Sequence, residues 1–365
     1  MRRRAGRVKD AGLVLPRLLR ACSNPNMGGD DVSSQGPAPL VVRRRGSETE
    51  CVHRGWMVLV EGERLRAHGD PGVRVFTRSC TKPFQALALL ASGAAERFGC
   101  TDEEIALACS SHDGSPAHRA VAARMLARAG LEERHLRCGP SEPFGDAARR
   151  TFHIAGESPA PLVHNCSGKH AGFLLAQVHL GGAPEKYLEP DSAVQGLARK
   201  LVAMALGVPP AELGAYVDGC SAPTFRPPLV ALARGFARLA NPELAPPEIR
   251  DPLTKIRDAI ASHPDVYAGP TRLCAALLRA SHGAIVPKNG AEGVYAFGVR
   301  GRGAGFAIKV EDGATRGYVP SVIATLRASR LLPEGAIAGL RPYSELDLRN
   351  AAGAVIGRQE LVASL

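Results

Sequence analysis

A chain of 365 residues, 45% hydrophobic and 22% charged, can bury a large core and has the balance of a globular protein. No uninterrupted apolar run approaches the roughly 18 residues of a membrane helix, so no membrane role is expected. The net charge of +11 is concentrated: seven basic residues (Arg2, Arg3, Arg4, Arg7, Lys9, Arg17, Arg20) against Asp10 put +6 in residues 1–26, leaving +5 for the rest. The body lacks a basic stripe with interleaved aromatics, which speaks against nucleic acid as a partner.

In the amino-terminal stretch Pro16, Arg17 and Arg20 break the apolar core that a secretory signal needs. Residues 1–37 are expected to be a disordered extension, or sequence ahead of a true start at Met27. From Leu40 to Phe76, alternation and β-branching predict short strands in "PLVVRRRG", "ECVHRGWMVLVEG", "RLRAHGD" and "VRVFT". Helical spacing or composition then marks 83–98, 101–109, 116–129, 169–180, 191–206, 227–240, 247–262 and 271–281. After 283 strands return in "GAIVPKNG", "GVYAFGVRG" and "GFAIKVEDG", and a helix over 317–331 follows. Strands, a helical block and strands again predict an α+β fold. Its antiparallel sheet would be built from both chain ends (38–77 and 283–335), with helices grouped in 78–282, all in one domain over 38–365.

Nine cysteines without tight spacing read as reduced thiols of a cytoplasmic protein. Cys100, Cys109 and Cys274 lie in or beside apolar helical patterns and are expected to be small buried hydrophobes.

"RSCTKPF" puts Ser79 three residues before Lys82, with Pro83 directly after. Proline is comfortable only in a helix's first turn, so the helix should start at about Ser79 to Lys82. That places Ser79 at the positive end of the helix dipole, with Lys82 on the same face. The pair is a nucleophile with its base, or a plain N-cap serine with an exposed lysine. Downstream, "ACSSHDGSPAH" packs Ser110, Ser111, His112 and Asp113 into a polar turn, and "VPKNG" puts Lys288 and Gly290 at the head of a strand. Ser-x-x-Lys, a polar serine turn and Lys-x-Gly on a late strand match the three-part signature of penicillin-recognising serine enzymes. The second element departs from it: it follows closely, and its third position is Asp113 rather than Asn.

"HNCSGKH" and "YVDGC" supply Cys166, Asp218 and Cys220, with Lys169 three residues after the first cysteine. Two thiolates and a carboxylate suit a borderline ion such as Zn²⁺. The alternatives are a buried cysteine at a helix start and a nucleophilic Cys166 flanked by His164 and His170.

Together, "RSCTKPFQA", "SSHDGSPAH", "HNCSGKHAGFL", "VDGCSAPTF" and "KNGAEGVYAFG" resemble the asparaginase II family, the class 3 or rhizobial-type L-asparaginases, over about 38–335. The resemblance implies a serine-β-lactamase-like fold, a homodimer, and hydrolysis of L-asparagine to L-aspartate and ammonia. It implies two Ser–Lys pairs, Ser79 with Lys82 and Ser111 with Lys288. It also implies a zinc site at Cys166, Asp218 and Cys220, with Lys169 as a ligand or near neighbour. Arg78 is a candidate for a substrate carboxylate, and His112 and Asp113 for orienting the second pair. The rival functions are a penicillin-recognising hydrolase or peptidase on the same fold and a non-catalytic, zinc-stabilised binding protein.

Overall fold

The computed structural model describes residues 36–363 and Leu365. The expectation for residues 1–37 therefore falls, but for Gly36 and Pro37, outside the described residues.

Three strands open the described chain: β1 (Ala38–Arg45), β2 (Glu48–Glu61) and β3 (Arg64–His68). The 73–77 segment, expected as a strand, runs beside 225–229 through single backbone bonds such as Val75 N–H to the Pro227 carbonyl and Thr77 N–H to the Phe225 carbonyl, but makes only an isolated bridge, Arg74 to Pro228. Its neighbour contains Pro223, Pro227 and Pro228, which have no N–H to donate, so a regular ladder cannot form.

Pro83 then starts a run of short helical pieces: α1 (Lys82–Gln85), α2 (Leu87–Ala91) and α3 (Ala94–Arg97). Thr101 caps α4 (Asp102–Ala108) in a reciprocal box with Glu104, and Ser115 caps α5 (Pro116–Arg128). Next come α6 (Asp146–Ile154), α7 (Ser167–His179) and α8 (Ala193–Leu206), the last capped by Ser192. A hairpin of β4 (Ala215–Val217) and β5 (Pro223–Phe225) precedes α9 (Leu229–Ala240) and α10 (Pro247–Ser262). After α11 (Pro264–Ala268) and α12 (Leu273–Ala280), the sheet resumes with β6 (Ile285–Asn289), β7 (Val294–Val299) and β8 (Ala304–Val310). Helix α13 (Thr315–Ala328) follows.

The strands order as β6-β7-β8-β2-β1 in one antiparallel sheet, so the two chain ends do meet in it as expected. The sheet is wider than expected, because β9 (Asp347–Arg349) and β10 (Val355–Leu361) add to it beyond β1. Strands β7 and β8 are almost wholly buried. Their paired glycines, Gly298 and Gly305, let α9 lie directly on the sheet: a Cβ at either would come within about 2 Å of a helix carbonyl, of Phe236 or Ala233. Val310, an odd number of residues from Gly305, faces the other way and packs against Gly317 of α13. Helices therefore cover both faces, and β6 is left as the edge strand beside the helical block.

The eight described cysteines are free thiols. Cys109 and Cys274 are buried as expected, while Cys100 is half-buried. Among the described residues no helix is long and apolar enough to cross a membrane.

Candidate active site

Ser79 lies in a 3-10 turn, Arg78–Thr81, that feeds α1, with Pro83 in the first turn of the helix. The preceding Arg78 has φ +48°, a left-handed conformation that costs a side-chain-bearing residue of order 1 kcal/mol. Its N–H bonds Thr224 Oγ1 at 3.2 Å and its Nε donates to Asp218 Oδ1 at 2.7 Å, which together hold the strained turn. The end of β6 is pressed against this turn. A Cβ on Gly290 would meet the Thr77 carbonyl at 2.9 Å, and the Cys80 thiol donates to the Lys288 carbonyl at 3.2 Å. The glycine of the Lys-x-Gly motif is thus a close-approach residue that lets the two motifs meet.

The lysines do not form two separate pairs. Lys82 Nζ donates to the Ser110 carbonyl at 2.7 Å, Ser111 Oγ at 3.0 Å and the Asn165 carbonyl at 3.4 Å. Lys288 Nζ stands 2.9 Å from the same Ser111 Oγ, 3.0 Å from the Asn289 carbonyl and 3.2 Å from Asn289 Oδ1. Ser111 therefore bridges both amines. Among the described residues the Ser79 hydroxyl has no hydrogen bond to Lys82. Lys82, Ser111 and Lys288 are all buried, whereas Ser79 is half-buried.

Counting donors assigns the protons. Lys82 has three oxygen acceptors, the number an ammonium needs. Lys288 also has three neighbours, but one is a hydroxyl that can donate. A neutral Lys288 gives its two N–H to the Asn289 oxygens and accepts the Ser111 O–H on its lone pair. Electrostatics agrees: burial, and then the positive charge of Lys82, push Lys288 down to about 7.

Ser79 and Ser111 both line a cavity of about 450 Å³, with Arg272, Phe144, Asn289 and Glu292 among its other walls. Arg78, expected to hold a substrate carboxylate, and His112 and Asp113, expected to orient the Ser111–Lys288 pair, do not line this cavity. Arg78 is paired with Asp218 and lines a neighbouring cleft. Both His112 ring nitrogens are engaged, Nδ1 by the Gly114 N–H at 3.1 Å and Nε2 by Ser167 Oγ at 2.9 Å. Burial, and then His118 beside it, hold His112 well below its usual range and hence neutral. Asp113 is buried behind the cavity, 3.6 Å from Arg272, and burial raises its carboxyl. Arg272, Asn289, Phe144 and Glu292 are among the cavity residues that sequence reasoning passed over. Asn289 sat inside a quoted motif. Arg272 was visible only as a lone charge between "GPT" and the apolar "LCAALL".

The sulfur cluster is a second, adjoining assembly. Cys166 occupies the N-cap position of α7 without a side-chain capping bond, and Lys169, one turn on, donates to Cys220 Sγ at 3.0 Å. A hydrogen bond from Cys166, and then the Lys169 charge, hold Cys220 far below the usual thiol range; the same hydrogen bond and burial push Cys166 up. Burial would lower Lys169, but the Cys220 and Cys166 sulfurs outweigh it and raise the amine. Cys166 Sγ also lies 3.3 Å from Asn165 Oδ1. The Asp218 carboxylate is turned to Arg78, and the Gly219 N–H also donates to it, at 2.8 Å. His170 Nδ1 meets the Tyr187 hydroxyl at 2.7 Å, while its buried Nε2, beside Cys220, has no hydrogen bond of good geometry. Among the described residues no three His, Cys, Asp or Glu side chains converge on one point. The Cys166 and Cys220 sulfurs, the Lys169 amine and the unpartnered His170 Nε2 are groups of the kind that bind a borderline cation.

A family model described as L-asparaginase II matches residues 41–361. No curated protein matches the chain. Among solved structures, the chain is similar to one described as "Mglu in its glutamate form", at 16% identity over 76% of this chain and 62% of that one, with a TM-score of 0.36. It is also similar to a class C β-lactamase from Rhodobacter sphaeroides (13% identity, 78% and 93% covered, TM-score 0.36) and to a class C β-lactamase mutant (12%, 72% and 88%, TM-score 0.38). The chain spans under two thirds of the length of the first of these.

Proposed function

Because this chain belongs to the L-asparaginase II family, we propose that it is an amidohydrolase that releases L-aspartate and ammonia from L-asparagine through an acyl-serine. The observation that carries this reading is the Lys82–Ser111–Lys288 bridge beside a second serine, Ser79, on one cavity.

Accessibility divides the labour. Ser79 is half-buried and its hydroxyl is uncommitted among the described residues, so it is the attacking group. Ser111 is buried and bonded at both sides, so it relays protons. Ser111 passes its proton to neutral Lys288 and takes one from Lys82, which leaves Lys82 neutral. Lys82, at i+3 from Ser79, then accepts the Ser79 proton as the oxygen attacks the side-chain amide carbon. Lys82 protonates the departing amide nitrogen, which leaves as ammonia; the neutral amine then deprotonates the water that attacks the ester and returns that proton to the leaving Ser79 oxygen.

Cys166, Cys220 and Lys169 would hold Zn²⁺, with His170 available nearby. Held by residues of the 164–170 loop and of the β4–β5 turn, such an ion would supply positive charge and would tie those two segments together. Lys169 must lose its proton to serve as a ligand. A homodimer is proposed on the family resemblance and is read by light scattering.

Ammonia release from L-asparagine, with L-glutamine and nitrocefin as parallel substrates, tests the proposal. Release from asparagine supports it. Nitrocefin turnover without asparagine turnover would favour the penicillin-recognising reading, and no turnover of any substrate a binding role.

A further inference from the structure

The cavity that holds both serines has one cation on its wall that the chemistry above does not use. Arg272 immediately precedes α12, and its side chain is 19% exposed. Three contacts fix it. Nη1 donates to the Ser111 carbonyl at 2.6 Å, Asp113 Oδ1 lies 3.6 Å from the same nitrogen, and the guanidinium stacks over Phe144 at 4.5 Å from the ring centroid. Asp113 is boxed in by Gly145 and Gly269, where a Cβ would come within 2.5 Å of it, so this counter-ion cannot drift.

Those contacts consume only one of the three guanidinium nitrogens. Among the described residues Nε and Nη2 have no hydrogen-bond acceptor, and these two share one edge of the planar group. That edge presents parallel N–H donors at the spacing of a carboxylate's two oxygens. An arginine pinned on one nitrogen, stacked on an aromatic and open along its fork is preorganised for a bidentate anion. The other charged residue on the cavity wall is Glu292, an acid. The wall therefore offers one cationic and one anionic group, as an α-amino acid presents one of each.

We propose that Arg272 is the carboxylate anchor of the substrate site, gripping the α-carboxylate of a small amino-acid amide through Nε and Nη2. Phe144 and Asp113 act as its positioning residues. This rests on the amidohydrolase reading and sharpens it: the accepted substrates carry a free α-carboxylate next to the amide, whereas neutral amides and peptides extended at that carboxyl are refused. The bond from Arg272 to the Ser111 carbonyl also ties the anchor to the proton relay, so a seated carboxylate and the reacting serines share one frame.

The test compares L-asparagine with its α-carboxamide, the analogue that lacks the carboxylate charge, in the full chain as wild type, Arg272→Met and Arg272→Lys. Turnover is read as kcat/KM for ammonia release, and binding is read calorimetrically for L-aspartate. A bidentate charged contact is worth roughly 10- to 100-fold, so wild type should prefer asparagine by about that factor. Arg272→Met should erase the preference by losing asparagine turnover alone. Arg272→Lys, which keeps the charge but loses the fork, should fall between. L-Aspartate binding should weaken in parallel. Equal use of both amides by wild type, or an unchanged preference in Arg272→Met, would overturn the assignment. If wild type turns over no asparagine yet binds L-aspartate in an Arg272-dependent way, the anchor stands and the amidohydrolase reading falls. Arg272-independent binding or none overturns the anchor. The wild-type arm needs no variant to fold.

Discussion

Lys288 gives the sharpest quantitative expectation. The relay starts only when Lys288 is neutral, and burial with Lys82 nearby brings it to about 7. An ordinary lysine near 10.5 would be neutral in only about one molecule in 3,000 at pH 7, against about one half here, so the shift raises the competent population by roughly 1,500-fold. The sign follows directly: protonation of Lys288 removes the acceptor, so activity falls as pH drops. Below the midpoint kcat/KM for asparagine should fall about tenfold per pH unit, leaving roughly a tenth at pH 6 and a hundredth at pH 5. The assay is ammonia release at low substrate from pH 5 to 9, with folding checked by circular dichroism at each end. Lys288→Gln should lower kcat/KM by about 10²- to 10⁴-fold and lose the acidic limb. A flat wild-type profile from pH 5 to 9, or an acidic limb that survives in Lys288→Gln, would refute the relay.

Ser111→Ala interrupts proton transfer without touching the attacking oxygen. It should lower kcat by about 10²- to 10⁴-fold with little change in KM, and wild-type kcat would contradict that role. Cys166→Ala should reduce bound zinc measured by elemental analysis, and unchanged metal content would remove Cys166 from the ligand set. Gly269→Ala should destabilise the fold by at least about 2 kcal/mol, because the site has φ +88° and the new Cβ would meet the Asp113 carboxylate at 2.0 Å. The readout is Tm, expected to fall by several degrees; an unmoved Tm would show that Asp113 is free to shift.

The parts of the molecule that speak locally were legible. Thr101, Ser115 and Ser192 sit where cap residues belong and cap their helices, and Pro83 marks the first turn beside Ser79. The alternation of 50–62 became β2 (Glu48–Glu61), and the return to strands after 283 became β6 to β8. What was hidden depends on distant partners. Residues 73–77 look like a strand, but the prolines that keep their pairing from becoming a regular ladder lie some 150 residues on. Strand β10, "VIGRQEL", carries too much charge and too little alternation to announce itself; it forms because β1 offers it a free edge. Helix α6, "DAARRTFHI", buries little beyond Phe152 and gave no strong stripe. The motifs named both lysines, but not that one hydroxyl serves them both. Ser111 is 29 residues from Lys82 and 177 from Lys288, so the bridge exists only once α1, the 110–115 loop and β6 have packed. Arg272 escaped for the same reason, since its role is defined by Ser111, Asp113 and Phe144, all more than 120 residues away.

The covalent step can be read directly by acid-quenching the protein during turnover of L-asparagine and mapping the adduct by peptide mass spectrometry. An aspartyl ester on Ser79, accumulating in wild type and absent from Ser79→Ala, is the predicted result. An ester on Ser111, or full ammonia release by Ser79→Ala, would contradict the division between attacking and relaying serines.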